Sequence, residues 1–167
     1  MKTIQENLGQ YAAYHRDRRN IFTHFIGIPM IVLGVVILLS RPAYSLGGLP
    51  FSPAVWAVIA SVIYYIKLDA RMGIVMGITY TAMLWVGVQI APLATSVWLT
   101  WGIGLFLVGW IIQFVGHYFE GRKPAFMDDI MGLAIGPLFV AAELAFLLGL
   151  RKDLEAAVEA AAGKVRG

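Results

Sequence analysis

The stretch Gln113-Phe-Val-Gly-His117-Tyr-Phe-Glu120-Gly-Arg-Lys-Pro124-Ala125 closes a run that has carried no charged residue since Arg71, and its reading decides the fold. An uncharged run of that length fits two membrane crossings, about 72–90 and 97–117, hinged at Ala91-Pro92. If the second crossing is helical, about 100° per residue sets Gln113, His117 and Glu120 on one face. An amide, an imidazole and a carboxylate then line one stripe at the mouth of a membrane helix. Imidazole and carboxylate are both good ligands for a divalent metal.

Composition agrees with a membrane chain. The 167 residues are 59% hydrophobic and 14% charged, against roughly 25% charged in soluble proteins. The net charge of +3 comes from Lys and Arg that flank apolar runs and form no contiguous basic face. That pattern points to a lipid bilayer as partner and not to nucleic acid. There is no cysteine, which excludes disulfides, thiolate catalysis and Cys-ligated clusters, so any metal must be held by nitrogen and oxygen. No Gly-x-Ser-x-Gly elbow or phosphate-cradling glycine loop is present.

Outward from the opening stretch, the chain resolves into apolar segments with charged joints. In residues 1–19, Ile4, Leu8, Tyr11, Ala12 and His15 recur at helical spacing, which predicts an interfacial amphipathic helix. Arg16-Asp-Arg-Arg19 breaks it, and Asn20 reads as the N-cap of a span over about 21–40. A second span, about 52–67, is short unless Lys67 snorkels, and Pro53 suits its first turn. A last span over about 130–150 carries Glu143 and an irregularity at Gly136-Pro137. The expected fold is all-α: an integral membrane bundle of about five spans within one membrane domain, 1–150, followed by a solvated tail, 151–167. The first apolar run is not a cleaved signal in this reading.

Five crossings place eight Lys and Arg residues on the side of the N-terminus and five opposite, which makes the first side cytoplasmic. His15, His24 and His117 all fall on that side, although the count made no use of them. On one straight helix His15 and His24 would point apart, whereas a corner at Arg16 to Asn20 lets both imidazoles point inward. The pattern suggests a metal held by His15, His24 and His117, with Glu120 as a fourth ligand or as the partner that fixes an imidazole tautomer. The alternative is that these histidines cap helices or bind carbonyls. Gln113 is an outer support of the site or an interhelical bond, and Asn20 a cap before a ligand. Glu143 lies about 20 Å from the histidine face on a regular helix from Asp129. Either the Gly136-Pro137 break shortens that path, or Glu143 is protonated and bonded to Gln89 or another helix. Arg122 and Lys123 attract an anionic head group or are simply a positive flank.

Tyr14-His15-Arg-Asp-Arg-Arg-Asn20-Ile-Phe-Thr-His24-Phe-Ile-Gly27-Ile-Pro29, the block Gln113 to Ala125, and Gly136-Pro137-Leu-Phe-Val-Ala-Ala-Glu143 together resemble the Mpo1-like family of small membrane proteins. The likeness spans nearly the whole chain except the tail. It implies an iron(II)-dependent dioxygenase that shortens 2-hydroxy fatty acids by one carbon in α-oxidation. By that resemblance His15, His24 and His117 are the iron ligands, with Glu120, Asn20 and Glu143 in or around the site, and O₂ and a 2-hydroxy fatty acid are the substrates. Histidine ligation with open positions suits such an iron, and the acyl chain can lie between spans while its head reaches the metal. The Ala- and Gly-rich composition suggests a bacterial inner membrane, or the endoplasmic reticulum in a eukaryote, with the site facing the cytoplasm. Two other readings are a metal or proton conduit and a non-catalytic membrane scaffold.

Overall fold

The structure, a computed structural model, describes residues 2–167. Thr3 opens α1 (Ile4–Ala12) with a capping box: its hydroxyl accepts the Glu6 N–H at 3.2 Å and its own N–H donates to the Glu6 carboxylate at 2.7 Å. After a turn, α2 (Arg18–Leu39) begins two residues before Asn20, because the Asp17 carboxylate accepts the Arg19 N–H at 2.9 Å. Asn20, expected as the cap, therefore sits buried inside the first turn. A hairpin of β1 (Tyr44–Leu46) and β2 (Leu49–Phe51) leads to α3 (Pro53–Leu68), with Pro53 in its first turn as expected. Asp69 then caps α4 (Ala70–Ile90) by accepting the Met72 N–H at 2.9 Å. α5 (Thr95–Glu120), α6 (Gly132–Leu147) and α7 (Lys152–Ala162) complete seven α-helices among the described residues. The all-α expectation holds apart from the small hairpin.

Burial is arranged for hydrocarbon outside. Phe22, Trp56, Ile63, Ile78 and Trp85 are exposed, whereas His15, Arg16, Asn20, Gln113 and Glu143 are buried. Three helices are long and apolar enough to cross a membrane: α2, α4 and α5. A fourth crossing is reached only if α6 and α7, bent by 117° at their joint, count as one. About five had been expected. α3 and α6, at 16 residues each, fall short of the roughly 20 residues of a straight crossing.

The contacts group the chain into two compact units: Met1–Ile28 with Ile111–Gly167, and Pro29–Trp110. In the first, α1 packs on α6 and α7. Its stripe of Ile4, Leu8, Tyr11 and Ala12 is buried by protein, so α1 does not offer it to a membrane surface. Gly9 allows a close crossing, since a Cβ there would lie 2.7 Å from the Ala161 Cβ. The tail expected to be solvated thus forms α7, with Leu154 and Val158 one turn apart and fully buried. In the second unit, backbones meet through glycine. A Cβ on Gly34 would lie 2.7 Å from the Gly102 carbonyl, and one on Gly102 would lie 2.5 Å from Leu38.

Candidate metal centre

α1 ends in a tight turn, with the Tyr14 N–H on the Tyr11 carbonyl and the His15 N–H on the Ala12 carbonyl. This corner, which replaces the straight helix that would have turned the histidines apart, brings His15 beside His24 of α2. His117 arrives from the last turn of α5. Ring centroids are 4.4 Å apart for His15 and His24, 4.9 Å for His15 and His117, and 5.1 Å for His24 and His117, with ring planes near perpendicular. One nitrogen from each lies within 4.8 Å of the other two, and all three residues are buried.

The backbone decides which nitrogens these are. A carbonyl can only accept, so His15 Nδ1–H donates to the Tyr11 carbonyl at 2.7 Å and His24 Nδ1–H donates to the Asn20 carbonyl at 2.8 Å. Both rings therefore keep their Nε2 lone pairs. His15 Nε2 is buried without a partner, and so is His117 Nδ1. Buried polar atoms are rarely left unpaired, and two such atoms converging on a third imidazole fit a divalent metal. Burial, with His24 close by, holds the His15 imidazole well below its usual pKa and hence neutral, the form that ligates. Its ring also stacks on Tyr11 at 4.2 Å.

Glu120 does not join the three imidazoles. Its Oε2 accepts the Arg16 N–H at 3.0 Å, the Asp17 N–H at 2.8 Å and the Asn20 Nδ2–H at 3.0 Å, and its Oε1 accepts from Arg166 at 2.6 Å. The carboxylate pins the corner between α1 and α2, and the tautomers it was expected to fix are set by carbonyls instead. Asn20 links this network to the site: its Nδ2 also donates to the Tyr14 carbonyl at 3.3 Å, while its own carbonyl receives His24. Gly116 lets α5 close on this turn, because a Cβ there would lie 2.0 Å from Thr23 Oγ1 and 2.5 Å from Asn20 Oδ1.

Glu143 pairs with Arg16 at 3.1 Å, both side chains buried. Neither expected explanation applies. α6 runs helically through Gly136-Pro137, and the partner is a guanidinium beside His15. Arg16 also donates from Nε to the Ala12 and His15 carbonyls, each at 2.9 Å, and from Nη1 to the Gly163 carbonyl at 3.0 Å. Gln113 is buried on α5 one turn before His117, with its Nε2 unpartnered. Arg122 donates to the Ala13 carbonyl at 2.8 Å, and Lys123 pairs with Asp128 at 2.5 Å. Both side chains fasten the loop, and it is the Arg122 backbone that meets the His117 ring.

Sequence reasoning missed Tyr11, Arg16 and Arg166. Tyr11 was within reach, four residues before His15 on one stripe. Arg16 was hidden in a run of charges that read as a plain helix break. Nothing local marked Arg166, whose N–H donates to the Arg16 carbonyl at 2.7 Å across the fold.

Comparison with known proteins covers the stretches that carry the site. Residues 1–148 match the model of the family described as 2-hydroxy-palmitic acid dioxygenase Mpo1-like. Over 161 residues the chain is 34% identical to the 2-hydroxy-palmitic acid dioxygenase MPO1 of Saccharomyces cerevisiae, an alignment covering 93% of this chain and 87% of that protein. No solved structure matches it. With the match running through both histidine blocks and most of the chain, this protein belongs to the Mpo1-like family.

Proposed function

We propose that this protein is an iron(II)-dependent dioxygenase that shortens 2-hydroxy fatty acids by one carbon at the membrane surface. The observation that carries the reading is the set of three buried imidazoles with one nitrogen from each within 4.8 Å of the others, His15 and His117 each keeping a ring nitrogen without a partner. The family supports it, since its relative in Saccharomyces cerevisiae bears the name of a 2-hydroxy-palmitic acid dioxygenase. His15 and His24 through Nε2, and His117 through Nδ1, would hold the metal. Iron(II) with three neutral ligands supplies open positions at which O₂ and a hydroxy acid can meet.

The chain's own groups hold that set rigid. The Tyr11 and Asn20 carbonyls orient two rings, Glu120 fastens the corner that carries His15, and the ion pair of Arg16 with Glu143 anchors the carbonyl of His15 itself. In this reading α3 and α6 are short crossings, which restores five spans and sets the histidines at the cytoplasmic face of a bacterial inner membrane. The acyl chain would lie along the exposed apolar flanks, and its polar head would reach the imidazoles.

A conduit is disfavoured. Among the described residues of Pro29–Trp110, tyrosines aside, Ser40 and Ser52 are the buried polar side chains, too few to line a path. The test uses protein purified anaerobically in detergent and loaded with iron(II). Oxygen uptake dependent on 2-hydroxypalmitate, with a C15 product, is expected. Iron-loaded protein that consumes no oxygen with any 2-hydroxy acid would leave a scaffold role.

A further inference from the structure

Five buried side-chain atoms among the described residues have no hydrogen-bond partner: His15 Nε2, His117 Nδ1, Asn20 Oδ1, Ser52 Oγ and Gln113 Nε2. The first two belong to the metal site. Asn20 Oδ1 is pressed against Gly116, where an added Cβ would lie 2.5 Å away, and Cα–H contacts of that kind serve a carbonyl oxygen. Ser52 belongs to the other unit. Gln113 Nε2 alone remains, a donor 3% exposed in a helix that is otherwise apolar at that depth. An amide N–H left unpaired in hydrocarbon is unfavourable. A position that carries such a group is set up to receive an acceptor.

The surrounding cations narrow the choice of acceptor. Arg16 is the one buried Lys or Arg among the described residues, and its guanidinium is taken by Glu143 and three backbone carbonyls. Arg166 is on Glu120, Arg122 on the Ala13 carbonyl and Lys123 on Asp128. A carboxylate entering beside the imidazoles thus meets no free buried side-chain cation. Gln113 sits one helical turn from His117 on the same face, deeper along α5 than the ligand. We infer that the Gln113 carboxamide binds the carboxylate of the 2-hydroxy acid through Nε2–H, so that the head group is received by the metal and a neutral amide with no arginine clamp. This rests on the function proposed above. It makes Gln113 a selector for acids over the corresponding alcohols.

The test compares two ligands on iron-loaded protein under anaerobic conditions, where binding is read by calorimetry without turnover. The probes are 2-hydroxypalmitate and hexadecane-1,2-diol, which keeps the hydroxyl and loses the carboxylate. Gln113→Leu should weaken the acid by about 10- to 100-fold, the range for a hydrogen bond to a charged group, and the diol by less than about twofold. Gln113→Glu should weaken the acid further, by like-charge repulsion, and again spare the diol. Iron content should equal that of the unsubstituted protein in both variants, which also reports that they are folded. Equal weakening of both ligands, unchanged acid affinity, or loss of iron would overturn the inference. Iron-loaded unsubstituted protein that binds neither probe would instead overturn the proposed function, and the inference with it.

Discussion

The two units of this chain use opposite means to hold helices together. Pro29–Trp110 relies on small residues and apolar contact: Gly34 against Gly102, Gly87 against Ser40, Gly73 against Ile66. The unit of Met1–Ile28 and Ile111–Gly167 buries two carboxylates, a guanidinium, three amides and three imidazoles. Lipid gives helices no hydrophobic reason to associate, so the first unit depends on close packing. The second depends on hydrogen bonds whose partners all lie within the protein, and these fix the imidazoles as a by-product of holding the corner. Stability without chemistry and stability that orients chemistry are thus separated along the sequence.

The contrast can be broken most forcefully at the ligands. His24→Ala or His117→Ala should abolish bound iron and turnover while leaving membrane insertion intact, as measured by metal analysis and membrane fractionation. Retention of full iron in both would end the comparison. Next in size is the buried ion pair. Glu143→Ala strands Arg16 in an apolar setting and should destabilise by about 3–5 kcal/mol, read as a lower unfolding midpoint, with Glu143→Gln milder. Glu120→Gln should follow: it keeps acceptors for the corner but removes the charge facing Arg166, and iron affinity should fall by about 10- to 100-fold. If Glu120 were a ligand, the variant would lose iron altogether.

A matched pair of glycines sharpens the comparison. Gly34→Ala and Gly116→Ala both insert a methyl group where none fits, at 2.7 Å from a carbonyl and 2.0 Å from Thr23 Oγ1. The first should lower the unfolding midpoint without changing iron per folded chain. The second should lower both, because it prises α5 from the turn that carries Asn20 and His24. Arg122→Ala, which removes one exposed bond to the Ala13 carbonyl, should change stability by less than about 1 kcal/mol and leave iron unchanged.

Convergence of the three histidines was legible in the sequence because a charged break at Arg16 to Asn20 lets His15 and His24 turn inward together, and the expected five crossings put His117 on the same side. What the polar residues do there was less legible. Glu120, one turn from His117, looked like a ligand, since spacing does not reveal that the backbone N–H groups of Arg16 and Asp17 arrive from residues far away in sequence. Asn20 looked like a cap because Asp17, three residues earlier, competes for that role and wins. The burial of α7 was signalled by Leu154 and Val158 at helical spacing, but the surrounding Lys, Asp and Glu outweighed them. The counting of spans suffered most from α3 and α6, each 16 residues with a single charged residue, Lys67 and Glu143, mainly apolar yet short of a straight crossing.

The central claim is that three imidazoles share one metal, and X-ray absorption at the iron edge of anaerobically prepared protein tests it most directly. The account predicts the multiple-scattering signature of about three histidine rings in the first shell, reduced by one in His15→Ala if that variant keeps any iron. A first shell of oxygen ligands without imidazole, identical in the unsubstituted protein and His15→Ala, would contradict it.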